Sequence, residues 1–425
     1  MFNKTLLLLF SLILTWSTFS QEQKAREIVK ILCSDSLAGR GYVHNGVNRA
    51  ADFISQEFKK SGLKPYFGDT SYFQPFSFDV NTFPGMMKIT SDDYFYQPGI
   101  DFIVDERSGS FNGELFMVEL DTTDFDDKEQ LFSKLQKVDS GKKNSFLIDL
   151  TKISNKNRPF AIQQFNSLST MGTVVYLTDQ KFTWSVARTQ TKFPIIYFKK
   201  EVFPHALLNI HIEAKLIEKF ETKNVIGYLP AEKKNAKTIV FTAHYDHLGG
   251  MGTKPTLTYF PGGNDNASGT SMLIAISDYF AINPSKYNLV FIAFAGEEAG
   301  LLGSRYFVEN NTINLDEIKF LLNLDIMGSG EEGITVVNGK IHQKHFKQIQ
   351  KINEEKEYLP HIYARGEAAN SDHHFFHKEG VPAFFIYTMG PNKNYHDVHD
   401  TYNELSFAAY DNIVKLVIDF VQKIK

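Results

Sequence analysis

Clusters of histidine, aspartate and glutamate lie in the second half of the chain, and most of them come directly after apolar runs. Imidazole nitrogens and carboxylate oxygens are ligands that zinc takes from proteins, and a catalytic zinc also keeps one position open for water. These residue types therefore predict a metal site. The clusters are His244-Tyr245-Asp246-His247, Pro261–Gly269 with Asp265 inside it, Gly296-Glu297-Glu298, Asp325, and Tyr395–Thr401 with His396 inside it.

His244 follows the apolar run 238–243, and Asp246 lies two residues further on. Because side chains alternate along an extended chain, Asp246 points to the same side and can accept a hydrogen bond from the second ring nitrogen of His244. Taken alone, a histidine followed two residues later by an aspartate is more often a surface histidine than a metal ligand. Asp265 lies in a glycine-rich turn that opens a helix, and taken alone it is more readily explained as part of a helix cap.

Glu297 and Glu298 follow the apolar run 288–294. Adjacent carboxylates at the end of a buried strand repel each other and lose solvation, and a nearby cation would relieve both effects. One glutamate can then bind a metal ion while its neighbour takes a proton from water. The alternative is an acidic pair that stabilises the N-terminus of a helix.

Asp325 follows the apolar run 318–324, where an aspartate is unusual without a partner, although a solvated loop explains it equally well. His396 lies in a histidine-rich region, and any one of those histidines, taken alone, is more readily explained as a surface residue. The joint occurrence of all these groups is what favours a metal site. Five ligands are too many for one catalytic zinc and suit two zinc ions that share a carboxylate.

The elements that must position these groups alternate between strand and helix from residue 224 onward. Alternation of this kind predicts an α/β fold, a three-layer sandwich around a mainly parallel mixed sheet, with the functional residues in loops that follow the strands. The predicted strands cover 238–243, 288–294, 318–324 and 383–387, and the predicted helices cover 270–280 and the C-terminal segment from Tyr410.

The order of the motifs resembles the co-catalytic zinc aminopeptidase family, which includes bacterial leucyl aminopeptidases, glutamate carboxypeptidase, plasma carboxypeptidases, glutaminyl cyclases and the transferrin receptor. The resemblance covers roughly residue 224 to the C-terminus, and Gly39-Arg40 and Gly62–Pro65 are similar to the lead-in of bacterial members. The motifs are His-Tyr-Asp, Gly-Gly-Asn-Asp-Asn-Ala-Ser-Gly, Gly-Glu-Glu-Ala-Gly-Leu-Leu-Gly-Ser, Asn-Leu-Asp-Ile-Met-Gly, Ser-Asp-His and Tyr-His.

This resemblance implies a metal role for each matching position. Asp265 would bridge two zinc ions. His244 and Asp325 would complete the site of one ion, and Glu298 and His396 would complete the site of the other.

The resemblance also implies the groups around the metals. Glu297 would be the general base, and Asp246 would support His244 from behind. The peptide bond between Asp265 and Asn266 would be cis.

The function implied is a zinc-dependent exopeptidase, an aminopeptidase that hydrolyses terminal peptide bonds through water activated by two metal ions. Glutaminyl cyclase, with one zinc on the same fold, is an alternative, as is a carboxypeptidase or dipeptidase. A non-catalytic binding module is a further alternative, but such relatives lack ligands or the base, and this chain has them all. Peptides are the expected substrates.

The domain organisation expected for the 425 residues has four parts. They are a signal peptide (1–20), an N-terminal helical part of the peptidase domain (21–65), an inserted mostly β domain (66–217) and the zinc peptidase domain (218–425). The insert loosely resembles the protease-associated domain, through residues 160–177 and 194–198.

The N-terminus and the composition limit location and partners. Lys4 followed by the apolar run 5–16 and by Thr18-Phe19-Ser20 is typical of a cleaved signal peptide, which predicts export to the periplasm or the extracellular space without a lasting membrane anchor. A net charge of -4 and no basic stripe give no support for nucleic-acid binding. The single cysteine, Cys33, excludes an internal disulfide. Oligomeric state cannot be derived from this sequence.

Overall fold

The computed structural model describes residues 21–424, apart from 69, 93, 126, 140–142 and 205–206. The predicted signal peptide, residues 1–20, lies outside the described residues. Within the described range, no helix is both long and apolar enough to span a bilayer. The α-helices are α1 (Gln21–Leu32), α2 (Gly46–Lys60), α3 (Lys128–Asp139), α4 (Arg158–Asn166), α5 (Gly269–Ile282), α6 (Leu302–Glu309), α7 (Gln343–Lys356), α8 (His373–Lys378) and α9 (Tyr410–Lys423).

The strands form four sheets among the described residues. In chain order the strands are β1 (Lys64–Pro65), β2 (Phe73–Thr82), β3 (Met87–Ser91), β4 (Tyr94–Tyr96), β5 (Phe102–Val104), β6 (Phe111–Leu115), β7 (Met117–Leu120), β8 (Ser145–Asp149), β9 (Thr173–Thr178), β10 (Ile195–Lys199), β11 (Leu208–Ile212), β12 (Lys215–Leu229), β13 (Thr238–His244), β14 (Gly249–Met251), β15 (Thr258–Phe260), β16 (Asn288–Phe294), β17 (Ile318–Leu324), β18 (Gly333–Val337), β19 (Ile362–Ala364) and β20 (Ala383–Met389).

The central sheet carries the strands that the sequence predicts to be buried. Its order is β1-β12-β16-β13-β17-β20-β18-β19, with β2 paired to β12. The strands β16, β13, β17 and β20 run parallel to one another, while β12 is antiparallel to β16 and β18 is antiparallel to β20. A strand buried on both faces reads as a continuous apolar run, which is why β16 and β17 begin and end where the sequence predicts. The predicted α/β fold is confirmed.

Helices cover both faces of this sheet, so the fold has three layers. Along β13, Ile239 and Phe241 face one core, whereas Val240 faces the other. The first core includes side chains of α1, α2, α5, α7 and α9, and the second includes side chains of α6 and α8. Since alternate residues of each strand enter different cores, the strand ends are held from both sides.

The segment between β2 and β12 forms a second unit with its own core, which we call the inserted unit (residues 83–214). It contains a five-stranded sheet, β5-β10-β9-β8-β7, and a four-stranded sheet, β4-β3-β11-β6, among the described residues. Apolar side chains fill the space between these sheets, and α3 and α4 cover the outer face of the larger one. Helix α3 was not predicted from the sequence.

The inserted unit is not separated from the part of the chain that forms the central sheet. Strand β2, which the sequence assigns to the insert, belongs to the central sheet. The hairpin β14–β15 lies outside the insert in sequence, yet its residues Met251 and Phe260 are buried in the core of the inserted unit. The two parts therefore share packing next to the loop that carries Asp265.

Candidate metal centre

Three neighbouring parallel strands bring the predicted ligands to one edge of the central sheet. His244 is the last residue of β13, Asp325 follows β17, and Glu297 and Glu298 follow β16 after a short turn. Because β16, β13 and β17 are adjacent and parallel, their carboxyl ends lie side by side. Loops at this edge are where α/β proteins place their ligand-binding residues.

One group of ligands, which we call the sheet half, consists of His244 and Asp325 together with Asp265. His244 Nε2 lies 3.2 Å from Asp265 Oδ1 and 3.4 Å from Asp325 Oδ1. All three residues are buried. Their donor atoms lie within 4.8 Å of one another, a spacing that one metal ion can span.

The other group, the loop half, consists of Glu298 and His396 together with Asp265. His396 Nε2 lies 3.1 Å from Asp265 Oδ2 and 3.1 Å from Glu298 Oε2. The two carboxylate oxygens of Asp265 therefore face two different histidines, as expected of a carboxylate that is shared between two ions.

The donor set fits metal ions better than hydrogen bonds alone. Asp325 Oδ1 is buried and makes no hydrogen bond to any described residue, although it lies 3.4 Å from His244 Nε2. A buried carboxylate oxygen without a partner is unfavourable, because desolvation penalises its charge. Imidazole and carboxylate donors gathered at this spacing suit zinc, so we conclude that the residues present fit the metal.

The raised pKa values of His244 and His396 also indicate an excess of negative charge around these two residues. Burial lowers the pKa of His244, but Glu297, Asp325 and Asp265 outweigh it and raise that pKa well above its usual value. Burial likewise opposes the charged form of His396, yet Glu298 and Asp265 raise its pKa to about 11. Both imidazoles lie in a field that attracts cations.

Asp246 positions the main chain of Glu297 and Glu298. Its carboxylate accepts hydrogen bonds from the Tyr42 hydroxyl (2.7 Å), the Glu297 N–H (3.2 Å) and the Glu298 N–H (3.3 Å). The sequence predicts that this carboxylate supports His244, but Nδ1 of His244 lies nearer the main-chain oxygen of Asp246 (3.2 Å) than its Oδ1 (3.8 Å). The carboxylate lies instead between the N-terminal segment and the Glu297-Glu298 turn.

A chain of buried hydrogen bonds orients Asp325. Thr242 in β13 donates to Asn323 Oδ1 (2.6 Å), Asn323 donates to Ser371 Oγ (2.8 Å), and Ser371 donates to Asp325 Oδ2 (2.9 Å). With Oδ2 held by Ser371, the second oxygen of Asp325 is directed at His244.

The loop that presents Asp265 is fixed through its backbone. Asp400 accepts hydrogen bonds from the Asn264 N–H (2.8 Å) and the Asp265 N–H (3.0 Å). The peptide bond between Asp265 and Asn266 is cis, as the sequence resemblance implies. Gly262 has φ +60°, and a Cβ there would lie 2.4 Å from His247 Cδ2, so only glycine fits this turn.

Arg40 holds the same loop through hydrogen bonds to its main-chain oxygens. Its guanidinium is fully buried and donates to the carbonyl oxygens of Tyr245 (2.8 Å), Leu32 (2.9 Å), Pro261 (2.7 Å) and Gly262 (2.7 Å). These carbonyls come from three distant parts of the chain. Arg40 therefore ties the N-terminal segment to the turn before Asp265.

Sequence reasoning left two residues of the site without a role. His247 Nδ1 lies 2.7 Å from Glu298 Oε1, and its Nε2 is buried without a hydrogen bond among the described residues, so His247 is a further candidate ligand of the loop half. Asp372 is fully buried with both carboxylate oxygens unpaired in the described structure, and burial raises its pKa to about 7. The His-Tyr-Asp-His and Ser-Asp-His motifs contained both residues, but nothing in their spacing separated them from their neighbours.

Fold and donor set together define the class: an α/β protein with a metal centre at the carboxyl ends of parallel strands. Residues 224–421 match the sequence model described as peptidase family M28.

Relatives with curated names match about half of the chain. The chain is 28% identical over 262 residues to aminopeptidase YwaD of Bacillus subtilis (strain 168), covering 57% of this chain and 55% of that protein. It is 28% identical over 224 residues to a probable leucine aminopeptidase of Arthroderma otae, covering 49% of this chain and 58% of that protein. The chain thus spans a little over half the length of these relatives.

Solved structures match over nearly the whole chain. A peptidase M28 precursor from Shewanella amazonensis superimposes with a TM-score of 0.66 at 15% identity, covering 95% of each chain. A zinc aminopeptidase from Bacillus subtilis superimposes with a TM-score of 0.65 at 18% identity, covering 93% of this chain and 94% of that one. At these identities the likeness establishes the fold, including the inserted unit.

Proposed function

We propose that this protein is a zinc-dependent exopeptidase of the aminopeptidase type, which removes single residues from the amino ends of peptides. The observation that carries the proposal is Asp265, whose two oxygens face His244 on one side and His396 on the other. The similarity to aminopeptidases over the M28 part supports the choice of reaction.

Two zinc ions are proposed as cofactors. His244, Asp325 and Asp265 would hold one, and Glu298, His396 and Asp265 would hold the other. When bound, such ions lower the pKa of a water molecule and polarise the carbonyl of the scissile bond.

Glu297 is proposed as the general base. Burial, reinforced by Glu298 and Asp372, raises its pKa well above the usual value despite the opposing charge of His244. The carboxylate of Glu297 therefore has a higher affinity for a proton than an exposed glutamate. Its backbone N–H is tied to Asp246, which fixes where the side chain begins. A carboxyl so placed takes a proton from the attacking water and passes it to the leaving amine.

Substrate-end selectivity tests the reaction type. Purified protein is assayed on free-amine, N-blocked and C-blocked dipeptides, first with a chelator and then after zinc is returned. Chelator-sensitive cleavage that requires a free amine supports an aminopeptidase. Cleavage that tolerates a blocked amine but needs a free carboxylate makes the protein a carboxypeptidase, and pyroglutamate formation from Gln-initiated peptides makes it a cyclase.

Glu297→Gln tests the proposed base. The side chain keeps its size but loses its basic oxygen, so hydrolysis is expected to fall by about 100- to 10,000-fold while zinc content stays the same. Exposed Glu309→Gln, in α6, is the matched control. Near-normal turnover by zinc-loaded Glu297→Gln would remove Glu297 from the mechanism.

A further inference from the structure

The loop that carries His396 is held by the inserted unit. Residues 179–194 connect β9 to β10, and we call them the β9–β10 loop. The N–H of Trp184 in this loop donates to the main-chain oxygen of His396 (2.8 Å), and the main-chain oxygen of Trp184 lies 2.9 Å from His396 Nδ1. The two residues are 212 positions apart in sequence.

This pairing fixes how His396 presents its ring. A carbonyl oxygen can only accept, so Nδ1 must carry a hydrogen and donate to Trp184. The remaining nitrogen, Nε2, then faces Asp265 and Glu298 at 3.1 Å each. Metal-binding histidines commonly donate their second ring N–H to a carbonyl or carboxylate, which sets both tautomer and ring direction.

Trp184 is itself immobilised by the inserted unit and the hairpin packed against it. Its indole N–H donates to the Val104 oxygen (2.9 Å), and its ring stacks on Phe260 with centroids 4.7 Å apart. The side chain is 6% exposed. The carbonyl aimed at His396 is therefore part of a rigid core.

A second contact lies at the surface end of the same loop. Lys181 forms an ion pair with Asp397, the neighbour of His396, and donates to the Lys393 oxygen (2.9 Å). The Asp397 carboxylate is nearly buried and accepts hydrogen bonds from the N–H groups of Tyr395 (3.3 Å) and His399 (2.7 Å). It thus organises the backbone on both sides of His396, and Lys181 neutralises its charge.

The His396 loop needs such support. His396 has φ +54°, a left-handed conformation, and residues 390–401 have no regular secondary structure. His244, by contrast, ends a buried strand. A non-glycine residue in this conformation persists only where its surroundings hold it.

We propose that the inserted unit is a positioning element of the metal centre: the Trp184 carbonyl orients His396, and Lys181 clamps its loop through Asp397. The proposal deepens the proposed function and rests on it only in taking His396 as a metal ligand. The insert is then required for tight binding of the ion in the loop half, and the ion in the sheet half does not depend on it.

Lys181→Met tests the clamp in the full-length protein. Metal-free protein is titrated with cobalt and zinc against a chromogenic chelator, and the visible spectrum of the cobalt form is recorded. One of two ions is expected to bind about tenfold more weakly, with an altered cobalt spectrum, because the buried Asp397 loses its cation. Lys181→Arg is expected to restore both.

Lys200→Met is the matched control. Lys200 also lies in the inserted unit, forms an ion pair with an aspartate (Asp149) and has 45% exposure of its side chain against 47% for Lys181, but it does not touch the His396 loop. The metal affinity and the cobalt spectrum of Lys200→Met are expected to equal those of the wild-type protein. Thermal unfolding of all metal-free variants separates a loss of affinity from a loss of stability.

Trp184→Phe tests the carbonyl. The substitution keeps an aromatic ring against Phe260 but removes the indole N–H that anchors Trp184 to Val104. The Trp184 carbonyl is then held less firmly against His396, so binding of the same ion is expected to weaken by about 10- to 100-fold. Unchanged affinities in both Lys181→Met and Trp184→Phe would overturn the proposal, as would losses that equal those of Lys200→Met. If wild-type protein binds two ions and hydrolyses no peptide, the proposed function fails while this proposal stands.

Discussion

The two halves of the metal centre are built on different principles. In the sheet half, His244 ends β13 and Asp325 follows β17, so two adjacent parallel strands set their separation. In the loop half, Glu298 follows a turn after β16, and His396 lies in an irregular loop that contacts another unit of the protein. The geometry of the sheet half is set by strand pairing, whereas the geometry of the loop half is set by tertiary contacts.

This difference separates the robust part of the site from the adjustable part. Strand ends buried between two cores move only if the whole sheet moves, because the packed interior transmits strain rather than absorbing it. A loop held by a few hydrogen bonds can be displaced by changes at those bonds alone. We therefore expect perturbations of the inserted unit to reach the loop half selectively.

Asp265→Asn is the change with the largest expected effect, because Asp265 belongs to both halves. Loss of its charge should weaken the binding of both proposed ions by at least about 100-fold, which is more than the loss of a supporting hydrogen bond would cause. Calorimetric titration with zinc measures this, with exposed Asp316→Asn as the control. Retention of two tightly bound ions would show that the halves do not share this carboxylate.

Ser371→Ala should affect the sheet half alone. It removes the hydrogen bond that holds Asp325 Oδ2, so one ion is expected to bind about 10- to 100-fold more weakly. Repeating the change in His396→Ala protein sharpens the comparison, since the ion that remains there belongs to the sheet half. Ser371→Ala should still weaken that ion, whereas Lys181→Met should not. Equal effects of the two changes would contradict the separation into halves.

Tyr42→Phe probes the carboxylate of Asp246, which holds the main chain of both Glu297 and Glu298. Removal of the hydroxyl leaves Asp246 Oδ2 with the Glu298 N–H at 3.3 Å, and the free energy of unfolding should fall by about 1–3 kcal/mol. Denaturant unfolding of metal-free protein measures this. Tyr72→Phe, which loses a hydrogen bond to the neutral Leu63 oxygen, should cost about 0.5–1.5 kcal/mol. A larger loss in Tyr72→Phe would argue against a special role for Asp246.

A further effect concerns the dependence of stability on pH and lies outside both halves, and near neutral pH it vanishes. Burial raises the pKa of the Cys33 thiol from 9.0 to about 12, partly offset by Arg40. Above pH 9 the unfolded chain releases this proton while the folded chain retains it, so stability is lost as pH rises from 9 towards 12, by no more than about 1.4 kcal/mol per pH unit. Cys33→Val should remove that slope in denaturant unfolding. An identical slope in both proteins would mean that another group causes it.

Sequence patterns predicted the parts of the molecule that depend on local order. The runs 288–294 and 318–324 became β16 and β17, since a strand buried on both faces needs apolar residues at every position. Helix α3 was missed, although Leu131, Leu135 and Val138 recur at helical spacing within it. The five residues that the resemblance assigns as ligands lie close together in the structure, although Asp265 and His396 lie in loops and not at strand ends.

The supporting contacts could not be predicted, because each joins residues that no local pattern links. Trp184 reaches His396 from 212 residues away, and Arg40 reaches Gly262 from 222 residues away. The hydrogen bonds involved use main-chain carbonyls, which every residue possesses. Residue type therefore carries no signal of these partnerships, and only the folded structure reveals them.

The contacts of Arg40 also determine when the metal centre can form. Its guanidinium joins the turn before Asp265 to a segment 222 residues earlier in the chain, and Trp184 contacts His396 across 212 residues. Contacts of such long sequence separation form late in folding, because chain closure must precede them. The proposed metal site can be completed only after these long-range contacts have formed, so metal binding would report that the N-terminal segment and the inserted unit have folded into place.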